Sequence, residues 1–147
     1  MARIETFGFD DDLFGFDTEG IGARCLEAAS PIVEESMKRV IRMTIRNKDR
    51  STGELVNSIT RYKPTKSKQG YDQVFIGPKG NSTRFYYHTR NGKRSRRYQL
   101  SQAAKLIFME YGTSHQPATP VLAKATNDAR EAVYKAMQDV IDREVGD

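Results

Sequence analysis

One stretch of the sequence decides the fold, Phe108-Met-Glu-Tyr-Gly-Thr-Ser-His-Gln-Pro-Ala-Thr-Pro-Val-Leu-Ala-Lys-Ala125. A helical pattern stops at Gly112, passes through a polar turn closed by Pro117 and Pro120, and restarts as a long amphipathic helix. Glycine after one helix and proline before the next are typical stop and start signals. The stretch therefore predicts an elbow that holds two helices at a fixed angle, rather than a catalytic loop.

Three helices are predicted because apolar residues recur at steps of three and four. The first covers about residues 21–46 and contains Pro31; Ser30 before it is either an N-cap or part of a kink. The second covers 100–111 and the third 118–145. The apolar face of the second helix consists of Leu100, Ala103, Ala104, Ile107 and Phe108.

The segment between the first and second long helices has a different period. A short helical turn at 52–59, capped by Ser51 or Thr52, places three apolar residues on its buried side. Alternation then predicts strands at about 59–65 and 71–77, and a hairpin around Asn91-Gly92. The buried residues of the short turn are Leu55, Val56 and Ile59. We predict an α+β domain: a long N-terminal helix, a small mostly antiparallel sheet with a protruding basic hairpin, and a C-terminal helix–elbow–helix.

Composition fits one domain for residues 21–147. The chain has 147 residues, a formal charge of +5 and 37% hydrophobic residues, so we expect an acidic partner and some solvated or partner-covered segments. The single Cys25 excludes an internal disulfide framework and is expected in the core. No apolar run approaches the ~20 residues of a membrane span, and no signal-peptide pattern opens the chain.

Residues 1–20 form a separate acidic and aromatic N-terminal arm. It contains one tetrapeptide twice, Phe7-Gly-Phe-Asp10 and Phe14-Gly-Phe-Asp17. The arm is either a frayed terminus, a segment packed on its own domain, or a docking arm that anchors in a neighbouring subunit. We favour docking, with Phe7, Phe9, Phe14 and Phe16 as the anchors, because rigid rings bury a large area at modest entropic cost.

The sequence contains no recognisable catalytic or metal-binding constellation. Two histidines and one cysteine lack metal-ligand spacing, and Ser114-His115 has neither a Gly-x-Ser-x-Gly motif nor an adjacent acid. Asp10-Asp11-Asp12 runs consecutively, whereas calcium ligands alternate with turn residues. We therefore predict no catalytic, cofactor-binding or metal-binding residue, and a protein that is not an enzyme.

The basic hairpin, about residues 79–98, is the strongest electrostatic feature. It has no acidic residue, and aromatic residues are interleaved with the basic ones. Such a surface suits phosphate binding with base stacking, a subunit interface rich in Tyr and Arg, or simple exposure to solvent. The basic residues are Lys79, Arg84, Arg90, Lys93, Arg94, Arg96 and Arg97.

Three motifs in this order resemble a known family. They are Thr52-Gly-Glu-Leu-Val-Asn-Ser-Ile59, Glu110-Tyr-Gly-Thr113 and Pro117-Ala-Thr-Pro-Val-Leu-Ala-Lys-Ala125. Over residues 21–145 the chain resembles the neck and tail-completion proteins of tailed bacteriophages, the gene-ten-product family of lambdoid-type phages, and is similar to the minor tail protein Z group. It departs from that family at 121–124, where a bulky aromatic–Leu–Arg run is usual, and in the hairpin, which looks like an insertion.

The resemblance implies a non-enzymatic virion component with no cofactor. It implies a homo-oligomeric ring, with six-fold symmetry as one option, that joins or completes the tail where head meets tail and lines the DNA passage. The implied partners are head-closure or connector proteins, the tail terminator or tail tube, and viral DNA bound without sequence preference; no membrane is involved. The implied location is the neck or tail of the virion, and the host cytoplasm during assembly.

Two further expectations follow. The elbow residues are expected to hold the angle of the fold, while the arm and the hairpin contact partners. The alternative to a virion role is a small basic nucleic-acid-binding protein that uses the hairpin as a β-ribbon. The elbow residues are Glu110, Tyr111, Gly112, Thr113, Pro117 and Pro120.

Overall fold

The computed structural model describes residues 2–5, 20–45 and 51–145, without the side chains of residues 2–5, Arg90 and Ser95. The helices are α1 (Ile21–Thr44), α2 (Glu54–Ser58), α3 (Gln102–Tyr111) and α4 (Val121–Val145). The strands are β1 (Ala2–Glu5), β2 (Ile59–Arg61), β3 (Thr65–Lys66), β4 (Asp72–Pro78), β5 (Asn81–Arg90) and β6 (Lys93–Ser101). The predicted α+β class is confirmed.

Helices α1 and α4 form an antiparallel pair that supplies most of the core. Arg24 near the start of α1 lies 3.0 Å from Glu144 near the end of α4. At the other end of the pair, the Ser36 hydroxyl donates to the carbonyl of Ala125 at 2.8 Å. Cys25 is buried, as expected for a small core residue.

Pro31 lies inside an uninterrupted α1, so the proposed N-cap at Ser30 is wrong. Proline has no N–H to donate to the carbonyl four residues earlier, which here belongs to Glu27. The Ser30 hydroxyl donates to that same carbonyl at 3.3 Å. The residue that precedes the proline thus compensates for the hydrogen bond that the proline removes.

A four-stranded antiparallel sheet is centred on β4. Strand β1 pairs with one edge of β4, and β2 and β3 pair with the other. The predicted strand 59–65 is therefore two short strands, interrupted at residues 62–64, where Pro64 lacks an N–H for the ladder. Val74 and Ile76 are fully buried, whereas Phe75 between them points to the other face.

The short helix α2 begins differently from the prediction. Its N-cap is Gly53 in a left-handed conformation, without a side-chain cap, so neither Ser51 nor Thr52 caps it. Leu55, Val56 and Ile59 are buried as predicted.

The N-terminal arm is described only in part. Residues 2–5 form β1, with Ala2 opposite Ile76 and Glu5 opposite Gln73, so these four residues pair with the domain's own sheet. The four predicted anchors, Phe7, Phe9, Phe14 and Phe16, lie outside the described residues.

The hairpin and the helix after it follow the sequence signals closely. Strands β5 and β6 pair around Asn91 and Gly92, whose φ angles of 51° and 74° are those of a type I′ turn. Helix α3 begins at Gln102, two residues later than expected, because the Ser101 hydroxyl accepts a hydrogen bond from the Ala104 N–H at 3.1 Å and caps the helix.

The buried face of α3 was predicted incorrectly. Gln102 and Leu106 are buried, whereas Ile107 and Phe108 are exposed. Residues 102 and 106 are four apart and share the buried face of the helix, and Met109 packs partly against the core, whereas Ile107 and Phe108 point away from it.

Candidate functional site

The elbow is held by backbone hydrogen bonds. Thr113 and Gln116 exchange two of them, at 2.7 and 3.2 Å, which closes residues 113–116 into a tight turn. The Thr119 N–H donates to the carbonyl of Met109 at 2.7 Å and returns the chain to α3. Pro117 and Pro120 follow in exposed positions, and α4 begins at Val121.

Two elbow residues fix the angle directly. The Glu110 carboxylate accepts a hydrogen bond from the Leu122 N–H at 3.0 Å, so the end of α3 caps the start of α4. Gly112 has a φ of 76°, and a Cβ there would lie 2.6 Å from the Ala118 nitrogen. Tyr111 differs from both, because it is 78% exposed and available for contact.

Glu54 forms a second joint, which sequence reasoning missed. Its carboxylate accepts hydrogen bonds from the Thr83 hydroxyl and, at 3.2 Å, the Thr83 N–H. It also accepts from Ser82 at 3.2 Å, Gln102 at 3.4 Å and Lys105 at 3.1 Å. Glu54 therefore ties α2 to the base of the hairpin and to the first turn of α3.

The hydrogen bonds around Glu54 change its acidity. Those from the Thr83 hydroxyl and from Lys105 lower the pKa of Glu54 from 4.5 to about 2. Lys105 also donates to the Ser82 hydroxyl at 3.0 Å, so a serine, a lysine and a carboxylate meet. Ser82 is only 1% exposed and out of reach of a substrate, so the geometry is that of a clamp between elements.

The basic hairpin extends β5 and β6 away from the core. Five of its predicted basic residues in the two strands are exposed, and the side chain of Arg90 is not described. Lys79, just before β5, is also exposed. The five exposed residues are Arg84, Lys93, Arg94, Arg96 and Arg97.

The aromatic residues divide between the two faces of the hairpin, since directly opposite residues share a face. On one face, the Arg97 guanidinium lies 3.9 Å from the centroid of the Phe85 ring, and that of Arg94 lies 5.3 Å from the Tyr87 ring. On the other, the Tyr98 ring lies 5.9 Å from Tyr86 and 4.6 Å from His88. One face thus stacks cations on aromatic rings, and the other carries the ring cluster of Tyr86, His88 and Tyr98.

An apolar cleft lies beside the base of the hairpin, between α3 and the outer face of the sheet. Pro78 and Ala103 line it, and they flank the hairpin in sequence. Ile107 is 53% exposed, and Tyr62, Phe75 and Tyr111 are exposed as well. We call this surface the apolar cleft; it is lined chiefly by Tyr62, Phe75, Pro78, Ile107 and Tyr111.

The sequence contained a signal for this cleft. The apolar stripe predicted for α3 is wider than one buried face needs, and the surplus at Ile107 and Phe108 faces outward. A cluster of exposed large apolar side chains is a frequent mark of an interaction site. The partners of Glu54 gave no such signal, because they lie 28 to 51 residues away along the chain.

Comparison of the chain with protein-family models, curated proteins and solved structures finds no match.

Two further observations concern the described residues only. No group of three or more His, Cys, Asp or Glu side chains is arranged to hold a metal ion there. None of the helices described has the length and apolar character needed to cross a membrane. Ser114 and His115 lie exposed in the elbow turn, where the His115 N–H donates to the Thr113 hydroxyl at 3.2 Å.

Proposed function

We propose that this chain is a structural protein of the head–tail connector of a tailed bacteriophage, where it forms an oligomeric ring around the DNA passage. One observation carries the proposal. Aromatic and arginine side chains, which are enriched in subunit interfaces, are exposed on two adjoining surfaces, the basic hairpin and the apolar cleft. A domain that associates with further copies would use such surfaces.

The motifs that resemble the neck proteins have roles consistent with this proposal. Glu54 of the Thr52–Ile59 motif fixes the base of the hairpin, and Glu110 of the elbow motif caps α4. Both carboxylates therefore bond inside the domain. The motifs therefore hold the hairpin and the cleft in fixed positions on the domain, as a protein that assembles through these surfaces would require.

The positive charge of the hairpin suits contact with either of two neighbours in a connector, an adjacent copy of the chain or DNA. A guanidinium stacked on a ring keeps its N–H edges available for a carboxylate or a phosphate. The acidic N-terminal arm of an adjacent copy would supply carboxylates, and DNA in the passage would supply phosphates. Contact with DNA would then lack sequence preference, because only the backbone is bound.

A stop codon early in the gene tests the proposed function. Without the protein, we expect electron micrographs to show DNA-filled heads and complete tails that remain separate, and wild-type protein supplied in trans to restore joined particles. Joined, infectious particles in its absence would contradict the proposal.

The second candidate is a nucleic-acid-binding protein, favoured by the stacking of Arg97 on Phe85 and of Arg94 on Tyr87. Binding through phosphates should weaken steeply with salt. The variant Arg94→Ala/Arg96→Ala/Arg97→Ala should reduce the slope of log K against log salt by about 3 on duplex DNA. Absence of duplex binding by the wild type at low salt would eliminate this candidate.

A further inference from the structure

We infer that the apolar cleft is the docking site for residues 6–19 of a second copy of this chain. The inference rests on the self-association that the proposed function requires, and it adds which segment docks and where. It explains two features together: an exposed apolar cleft on the domain, and a segment rich in phenylalanine.

The cleft offers a suitable surface. Tyr62 and Phe75 form one wall, from the face of the sheet opposite the core, and Ile107 and Tyr111 of α3 form the other. The described domain leaves all four exposed, so part of their apolar surface remains in contact with water. Burying such surface contributes roughly 25 cal/mol per Å².

The composition of residues 6–19 matches this surface. The segment holds four of the seven phenylalanines of the chain, together with Leu13. Each pair of phenylalanines is separated by a single Gly, as in Phe7-Gly-Phe9. Aromatic anchors in a pocket are the residues that most often dominate the binding energy of an interface.

The charges also match. Residues 6–19 carry Asp10, Asp11, Asp12, Asp17 and Glu19 and no basic residue. Exposed Lys63 follows Tyr62 of the cleft, and exposed Lys79, the first residue of the basic hairpin, follows Pro78. Glu110, an acidic residue of the cleft lining, is engaged by the Leu122 N–H. An acidic, aromatic segment would therefore meet apolar walls with a basic rim.

The length of the segment favours a second copy over the same chain. Its fourteen residues span at most about 48 Å when fully extended. The cleft includes Leu122 at the start of α4, beside the Ser36 region of α1, so a return to Gly20 along α1 uses roughly 24 Å. Because Glu5 pairs with Gln73 beside the cleft, the segment also starts there, and about seven residues would remain, enough for Phe7 and Phe9 but not for Phe14 and Phe16. The segment of a second copy is not held to this path, so all four phenylalanines can reach the cleft.

A mixing experiment tests the inference with full-length chains. One variant has a disabled segment (Phe7→Ser, Phe9→Ser, Phe14→Ser and Phe16→Ser), and the other has a disabled cleft (Ile107→Ser and Tyr111→Ser). We expect the wild type to self-associate in light scattering and each variant alone to be monomeric. An equimolar mixture should form heterodimers, because it contains one intact segment and one intact cleft.

A direct binding measurement accompanies it. A fluorescein-labelled peptide of residues 6–19 should bind the segment-disabled chain saturably, and the two cleft substitutions should weaken binding at least about tenfold. Tyr134→Ser is the matched control, because Tyr134 is an exposed aromatic residue on α4 outside the cleft lining, and it should leave the affinity unchanged.

Several results would overturn the inference. One is a wild type that stays monomeric at about 0.5 mM, a concentration at which even weak interfaces associate. Others are a mixture that stays monomeric, peptide binding unaffected by the cleft substitutions, and equal binding of a peptide with all four Phe replaced by Ser. Rings that persist in the cleft variant would refute the docking site but not the connector role. If the mixture forms heterodimers but phage particles made without the protein still join heads to tails, the connector role is refuted and the docking site is not.

Discussion

The Glu110 carboxylate lies 3.0 Å from the Leu122 nitrogen and so links the last turn of α3 to the first turn of α4. The first N–H groups of a helix have no partner within that helix, and a negative charge there is favoured by the helix dipole. One side chain therefore supplies a cap and helps to set the angle between two helices.

Glu110→Ala should destabilise the domain by about 1 kcal/mol, the usual cost of losing a helix N-cap. Chemical denaturation at pH 7 measures the change. Glu131→Ala is the matched control, because Glu131 is an exposed acidic residue within α4, and it should have almost no effect. Equal stability of the two variants would show that the Glu110 cap does not hold the elbow.

Gly112→Ala should cost clearly more than Gly80→Ala. Both glycines have positive φ angles, 76° and 85°, so a side chain is strained at both positions. A Cβ at Gly112 would also lie 2.6 Å from the Ala118 nitrogen and 2.7 Å from the Gln116 carbonyl oxygen, whereas Gly80 has open space. Thermal unfolding of both variants compares the costs; equal shifts would contradict the close packing of the elbow.

Stability should fall in acid partly through Glu54. Its pKa is about 2 in the folded protein against 4.5 ordinarily, so its stabilising contribution is complete above about pH 4.5 and is lost as the pH falls towards 2. Glu54→Gln should therefore be less stable than the wild type at pH 7, with a difference that narrows from pH 4.5 to pH 2. Denaturation midpoints across this range measure it, and a constant difference would exclude Glu54 as the titrating group.

Truncating two neighbouring residues of α3 should change the stability by very different amounts. Leu106 is 3% exposed, so Leu106→Ala should cost about 2–4 kcal/mol in the free energy of unfolding. Ile107 points outward, so Ile107→Ala should change that energy by less than about 0.5 kcal/mol. Urea unfolding of both variants at low protein concentration measures the two changes, and a large loss for Ile107→Ala would place that residue in the core.

Local signals explain what could be predicted. The turn at Asn91-Gly92 needs two positive φ angles, which only a few residue types adopt readily. This dipeptide alone therefore located the hairpin. Gly112 and Pro120 similarly marked the elbow. The periodicity of apolar residues located α1 and α4, because each of these helices buries an apolar stripe.

Long-range contacts explain what could not be predicted. The outward direction of Ile107 depends on how Ser101 and Glu110 fix the two ends of α3, and the second of these contacts is made with α4. The Glu54 carboxylate accepts hydrogen bonds from residues of β5 and α3. A single Glu in a short helix gives no sign in the sequence of which distant residues will bond to it. The continuation of α1 through Pro31 required the Ser30 hydroxyl to replace a lost donor, a detail that no spacing rule contains.

The most direct test of the proposed function is to purify tailed-phage particles released by cells that carry this gene, to reconstruct their neck, and to identify their proteins by mass spectrometry. We predict a closed ring between portal and tail whose subunits match this α+β domain, with the hairpin and the apolar cleft of each copy in contact with neighbours or with DNA. Complete virions that lack this chain would contradict the account.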